Sequence, residues 1–347
     1  MRVAVAAPLD LTGPGGVEVH IVELARALRK LGVEVEIFSK DGEQGRRGLE
    51  ELRAERFDII HTHGSFFSRR LLKPILRRSK DLRHVHTLHG VAIDYLVNCR
   101  AWLNWRCYTG LAVEGFCSRR ADHVIAVSES VRRRALGIFK LKPDKISVIY
   151  NGYALEKVGQ VAREEVRREL KFEADDVVLL FVGRGADKVK GAAAVTAAVQ
   201  ELRQEFTNVY LLAAPGYGFE EVGWLRRTGP VGHGEVSQYY VAADIFVNAS
   251  LNEGMPLTVI EAMAAGLAVA AAPVGGIPEV VTTEESGLLL RADRDDLVDQ
   301  LRRLIKDKLL RRRLGAKARE AVRDLTWKNL AQQTIKVYET VLDNSGL

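Results

Sequence analysis

Glu253 and Glu261 bracket the stretch Glu-Gly-Met-Pro-Leu-Thr-Val-Ile-Glu, which runs through Ala-Met-Ala-Ala-Gly266 into an apolar segment. Two carboxylates so placed could trade protons or grip hydroxyl groups. Pro256 suits the first turn of a helix, Ala262 to Ala265 continue it, and Gly266 suits its end. Glu261 then sits on a helix among small apolar neighbours, where a carboxylate needs a hydrogen-bond partner, a ligand hydroxyl being one candidate. Upstream, the amides of Gly254, Met255 and Leu257 can point at an anion on the helix N-terminus, whereas Pro256 has no N–H to give. Two carboxylates around an anion cradle suit a polyhydroxylated phosphate ester. The competing reading is a capped surface helix whose acids serve no ligand.

A cationic group follows the apolar run Val178 to Val182: Gly183, Arg184, then Lys188, Lys190 and Gly191. Arg184 offers a planar fork for phosphate oxygens and Lys190 a compact charge, a natural pair for a diphosphate. Alone, this segment reads equally well as a solvated basic turn; shared placement with the Glu253 segment on one sheet edge favours the anion site. Gly13-Pro14-Gly15-Gly16 invites a dinucleotide reading, but the third glycine of that fingerprint would fall on Glu18, and Ser39-Lys40 supplies no acid for a ribose. No Walker A pattern occurs. The glycine pair still permits close approach of a ligand to the backbone. His61, His63, His84, His86 and His89 cluster at two strand ends, but alternate residues on a strand share a face, so only some of them can converge, and with no partnering acid motif nearby no metal is expected. His89, directly before Gly90, is the one expected to face a ligand.

These residues need a scaffold of strand ends. From Arg2 the chain alternates short apolar runs with amphipathic stretches, the pattern of βα units around a parallel sheet. The first series of strands is expected at Val3 to Ala7, Glu34 to Phe38, Ile59 to Thr62, His84 to Leu88, His123 to Val127 and Ser147 to Tyr150. A helix is expected over Val19 to Leu31, with Ile21, Leu24, Ala25, Leu28 and Leu31 on one face and Gly32 as its stop. The second series is Val178 to Val182, Val209 to Ala213, Ile245 to Asn248 and Ala268 to Ala272. The charged stretch from Gly152 to Asp176 lies between the two series and marks a domain junction. Two α/β domains with a ligand cleft between them are therefore expected, residues 1–155 rejoined by a C-terminal helix over 326–347, and residues 156–325.

With 47% hydrophobic and 28% charged residues over 347, the composition is that of a globular protein, and no apolar run reaches membrane-spanning length. Met1 to Ala7 reads as a strand rather than a secretory signal, so the expected address is cytoplasmic. Cys99, Cys107 and Cys117 fit no zinc or redox spacing and read as buried or idle thiols. The net charge of +6 favours anionic partners. Phe66 to Arg78 mixes apolar and cationic residues at helical spacing, and Trp102, Trp105, Tyr108 and Phe116 punctuate a later helix. Peripheral contact with an anionic membrane is one reading of both, a core-facing helix with a basic outer face the other. No nucleic-acid recognition motif accompanies them, and nucleic acid is not an expected partner.

Four segments together resemble the retaining family-4 glycosyltransferases of the GT-B fold, glycosyl transferases group 1. They are Gly15-Gly16 with the helix after it, His-Thr-Leu-His89-Gly90, the stretch from Val182 to Gly191, and the stretch from Asn252 to Gly266 followed by Val-Gly-Gly-Ile-Pro-Glu-Val-Val281. The resemblance implies two Rossmann-like α/β/α domains facing across a cleft, and transfer of a hexosyl unit from a UDP-, GDP- or ADP-sugar to a glycan, lipid-linked or small-molecule hydroxyl. It implies neither metal nor other cofactor. By the same resemblance Gly16 approaches the donor diphosphate or acceptor, His89 contacts the transferred sugar, and Arg184 and Lys190 bind the diphosphate. Glu253 holds sugar hydroxyls, Gly254, Met255 and Leu257 line the donor, Glu261 holds its ribose, and the helix from Trp327 crosses back to the first domain. Two segments depart from the family pattern: Ala214-Pro215-Gly216-Tyr217-Gly218 near the expected nucleobase edge, and Asn151-Gly152-Tyr153-Ala154, which lacks the usual acid. Donor base, acceptor and oligomeric state stay open, as do two alternatives, a nucleotide-sugar 2-epimerase of the same fold and a non-catalytic sugar-nucleotide or polyanion binder.

Overall fold

The computed structural model describes residues 1–7, 15–39, 47–48, 52, 56–64, 82–94, 105–153, 162–183, 185, 187–220, 222–229, 231–291 and 294–343. They form two compact units, one of residues 1–152 with 325–347 and one of residues 153–324.

In the first unit, strands β1 (Arg2–Ala6), β2 (Glu34–Ser39), β3 (Arg47–Gly48), β4 (Ile59–His63), β5 (Arg83–Leu88), β6 (His123–Ala126) and β7 (Ile146–Val148) make one sheet in the order β3-β2-β1-β4-β5-β6-β7. Every described pairing is parallel. Helix α1 (Gly16–Lys30) starts three residues ahead of the expected Val19, because Gly15 adopts an extended N-cap conformation and the Val19 amide closes the first turn on the Gly15 carbonyl. Its buried stripe is Val19, His20, Ile21, Leu24, Ala25, Ala27 and Leu28. Helices α2 (Trp105–Arg120) and α3 (Glu129–Phe139) cover the later strands. One sheet face buries Ala4, Ala6, Phe38 and Ile60 against Leu52, Phe57 and Leu82.

The second unit opens with α4 (Arg163–Glu169) and holds β8 (Val177–Val182), β9 (Val209–Ala214), β10 (Leu225–Arg227), β11 (Ile245–Asn248), β12 (Ala268–Ala271) and β13 (Leu288–Leu289) in the order β10-β9-β8-β11-β12-β13. Helices α5 (Ala192–Leu202), α6 (His233–Ala242), α7 (Leu257–Ala265), α8 (Ile277–Val280), α9 (Arg294–Lys306) and α10 (Lys308–Ala321) cover it, and α11 (Trp327–Asp343) returns to pack on α1. The core joins Leu179, Phe181, Leu211 and Val247 to Val195, Val199, Leu301 and Leu304. Strands β8 and β11 are buried almost throughout, so they read as unbroken apolar runs rather than alternating ones.

Both sheets have the doubly wound order, and the strand order reverses between β1 and β4 in one and between β8 and β11 in the other. The C-terminal edges at those two points are where such sheets receive ligands. Among the described residues no helix is long and apolar enough to cross a membrane. Phe66 to Arg78 and Trp102 lie outside the described residues, as do Cys99 and the side chains of Trp105 and Cys107, whereas Tyr108 is exposed. Cys117 is a free, buried thiol that burial, then the neighbouring Glu114 carboxylate, pushes up to about 11.

Candidate active site

At the reversal point of the second unit, Lys190 and Glu253 meet. They stand 63 residues apart in sequence, yet Lys190 Nζ donates to Glu253 Oε1 at 2.8 Å. Backbone geometry forces the encounter. Lys190 ends a short 3₁₀ turn, Lys188–Lys190, whose start is capped by the Asp187 carboxylate accepting from the Val189 amide. Gly191 follows with φ +74°, and a Cβ there would lie 2.1 Å from the Ala249 carbonyl oxygen, so only glycine lets this turn press against the chain leaving β11. The Leu251 amide donates to the Val189 carbonyl at 2.7 Å and fastens the two loops.

The Glu253 side chain is 8% exposed and Oε1 accepts three donors: Lys190, Ser250 Oγ at 2.7 Å and Asn248 Nδ2 at 3.5 Å. All three reach the same oxygen. Behind it, the Gly276 amide donates to the Gly254 carbonyl at 2.7 Å, and Gly275 at φ +57° approaches so closely that a Cβ would sit 2.0 Å from the Glu253 carbonyl oxygen. The Val-Gly-Gly-Ile-Pro segment thus clamps the Glu253 loop from behind. Pro256 is the N-cap of α7 in extended geometry rather than a residue of its first turn, because the helix opens at Leu257. Met255 and Leu257 are buried, which fixes the entry of the chain into α7. Gly266 ends the helix at φ +79°, as expected of a C-terminal glycine.

Glu261 lies on the buried side of α7, 4% exposed, and takes its hydrogen bond from the Tyr240 hydroxyl of α6 at 2.9 Å. Burial pushes its carboxyl up to about 7, and the Tyr240 bond moderates the rise. The same burial, then the Glu261 carboxylate beside it, pushes the Tyr240 phenol well above its usual range. Tyr240 thus supplies one hydrogen-bond partner for the buried carboxylate from within the protein. Arg184 lies outside the described residues.

At the edge of the first unit, Gly16 begins α1 and His89 follows β5. The histidines separate by strand register. His84 Nε2 and His86 Nδ1 share the Thr62 hydroxyl at 2.8 and 2.7 Å on one side of the sheet. On the other, His61 bridges Tyr338 Oη of α11 at 2.6 Å and Thr87 Oγ1 at 2.7 Å. His63 Nδ1 stands 3.2 Å from His89 Nε2. His20, which lies on neither strand and is not among the histidines the sequence singles out, is carried by α1 against this pair, its ring edge-on to His89 at 4.6 Å. Its only sequence signal is its place on the buried stripe of α1. His20 Nδ1 is 2.8 Å from Asn151 Oδ1. Burial lowers His20 and His86 to about 4 and holds His61, His63 and His89 well below the usual imidazole range, with neighbouring rings adding to the drop for these three.

Two doubly wound units in tandem, with a glutamate and lysine at the ligand edge of the second, define the GT-B class. Sucrose-phosphate synthase from Thermosynechococcus elongatus superposes with a TM-score of 0.84 at 23% identity, over 99% of this chain and all of that one. HepE of Anabaena, solved in complex with UDP-glucose, superposes at 0.75 and 18% identity over 98% and 100%. The family described as Glycosyltransferase Family 4 matches residues 40–157, and that described as Glycosyl transferases group 1 matches residues 176–307. A D-inositol 3-phosphate glycosyltransferase of a Nocardioides species is 27% identical across 95% of this chain and 87% of its own. The chain belongs to the family-4 glycosyltransferases.

Proposed function

We propose that the protein moves a hexosyl unit from a nucleoside-diphosphate sugar to an acceptor hydroxyl, retaining the anomeric configuration and needing no metal for the chemistry. The observation that carries this reading is the Lys190–Glu253 pair at the reversal point of the second sheet, a cation and a carboxylate held by three hydrogen bonds on one oxygen. Lys190, with Arg184, neutralises the departing diphosphate, and the first amides of α7 add their dipoles. Glu253 keeps its bonds from Ser250 and Asn248 when Lys190 turns to phosphate, and its second oxygen accepts sugar hydroxyls. Glu261, held by Tyr240, accepts from the donor ribose.

The bond from the anomeric carbon to the diphosphate oxygen breaks while the acceptor oxygen bonds to the same face, and the acceptor proton passes to the departing phosphate oxygen. His89 contacts the sugar as a neutral imidazole, which burial favours. Glycan, lipid-linked and small-molecule acceptors all meet the chemical requirement of a free hydroxyl. The test is a thermal-shift panel with UDP, GDP and ADP and their hexose conjugates, since a ligand that binds the native state raises its melting temperature. One nucleotide series is expected to stabilise the protein; no shift with any of them overturns the reading.

A further inference from the structure

His20, His63 and His89 come from α1, the end of β4 and the residue after β5, and one ring nitrogen from each lies within 4.8 Å of the other two. Three imidazoles meeting from three separate elements resemble a facial ligand set more than a core packing accident. The 3.2 Å between His63 Nδ1 and His89 Nε2 is close to the edge of a tetrahedral site, about 3.4 Å for two nitrogens each about 2.0–2.1 Å from one ion. His20 Nε2 is buried and has no hydrogen-bond partner. Buried polar atoms are seldom left so, and an orphaned imidazole nitrogen is a ligand position wanting an occupant.

Asn151 supplies the outer support. Its carbonyl oxygen accepts from His20 Nδ1 at 2.8 Å, which puts the proton on that nitrogen and leaves the Nε2 lone pair bare. Metal-binding histidines are oriented by such a bond. His20 and His63 are fully enclosed, whereas His89 is partly exposed, so one side of the cluster stays reachable for a fourth ligand.

We propose that His20, His63 and His89 form a three-imidazole binding site for one divalent cation of the Zn2+ class. Nitrogen donors without a carboxylate suit Zn2+, Co2+, Ni2+ or Cu2+ and disfavour Mg2+ and Ca2+, which take oxygen. All three ligands belong to the first unit, and the ion is not a cofactor of transfer. Its consequence rests on the proposed function: an ion on His89 competes with the sugar for that imidazole, so Zn2+ lowers transfer reversibly.

The site is tested without donor or acceptor, so its failure is separate from any failure of the transferase reading. Chelator-treated protein is titrated with Co2+ while the visible d–d band of the four-coordinate ion is followed, and bound Zn2+ is counted after gel filtration. One equivalent per chain is expected, displaced by Zn2+ and accompanied by a rise in melting temperature. His20→Gln and His63→Gln should each abolish the band, whereas His86→Gln, on the other side of the sheet, should retain it. If a ligand variant melts at far lower temperature, Asn151→Ala, which leaves all three rings in place, should weaken Co2+ binding by about 10- to 100-fold. No stoichiometric band in the wild type, or a band unchanged in both ligand variants, overturns the site. Unaltered transfer at saturating Zn2+ overturns the competition.

Discussion

The two sheet edges share one strand order and carry opposite chemistry. The first unit buries imidazoles at its reversal point, all neutral near pH 7; the second buries a carboxylate and pairs another with an ammonium. A doubly wound sheet therefore fixes where groups converge, and residue type alone decides whether that place offers bare nitrogen or balanced charge. The assignment of roles follows. The charged edge suits a leaving diphosphate, and the neutral edge suits hydroxyls and soft cations.

The largest expected break in this contrast is Lys190→Ala, which should lower turnover on the order of 100-fold or more while leaving the melting temperature within a few degrees. Steady-state rates and thermal melts of the same variant check it, and near-normal turnover would remove Lys190 from the diphosphate.

Next comes pH, with opposite signs at the two edges in metal-free protein. His86 is lowered from 6.5 to about 4, so its contribution to stability is fully present above pH 6.5 and is lost as pH falls toward 4, on the order of 3 kcal/mol. Glu261 is raised from 4.5 to about 7, so the folded state holds a proton that the unfolded state releases, and stability falls by roughly 3 kcal/mol as pH climbs from 4.5 to 7. Hydrogen exchange, corrected for intrinsic rates, should therefore show β5 opening more readily at pH 5 than at pH 7, and α7 the reverse. Parallel responses in both segments would contradict the contrast.

Tyr240→Phe is expected to destabilise by about 1–3 kcal/mol at pH 7, because Glu261 loses the donor that meets its burial. Denaturant unfolding should show most of that loss recovered in the double variant with Glu261→Gln only if the carboxylate is its source. The smallest effect belongs to the surface: Lys317→Ala removes a bridge to Glu320 between two exposed side chains and should leave the transition where it is.

Legibility in the sequence follows from how far each signal reaches along the chain. Strands such as β8 and β11 are continuous apolar runs and announce themselves, whereas β3, β10 and β13, two or three residues each, are too short for any period to show. The Glu253 to Gly266 segment carries its own turn and helix signals, so its geometry was readable apart from the exact helix start. Three pairings were not readable. Tyr240 with Glu261, Lys190 with Glu253 and His20 with His63 depend on which elements lie side by side, which only the closed sheet decides. Strand alternation shows that only some of the histidines can converge, and His61 and Thr62 do carry different histidine contacts, but it says nothing about a helix arriving over one face.

The central claim is that the charged edge of the second unit holds a nucleoside diphosphate through Lys190. Calorimetric titration of wild type and Lys190→Ala with the nucleoside diphosphate that gives the largest thermal shift tests it directly. One site per chain in the wild type, weakened at least about tenfold in the variant, or about 1.4 kcal/mol, is the predicted result. Equal affinity in the two proteins, or no binding in either, would contradict it.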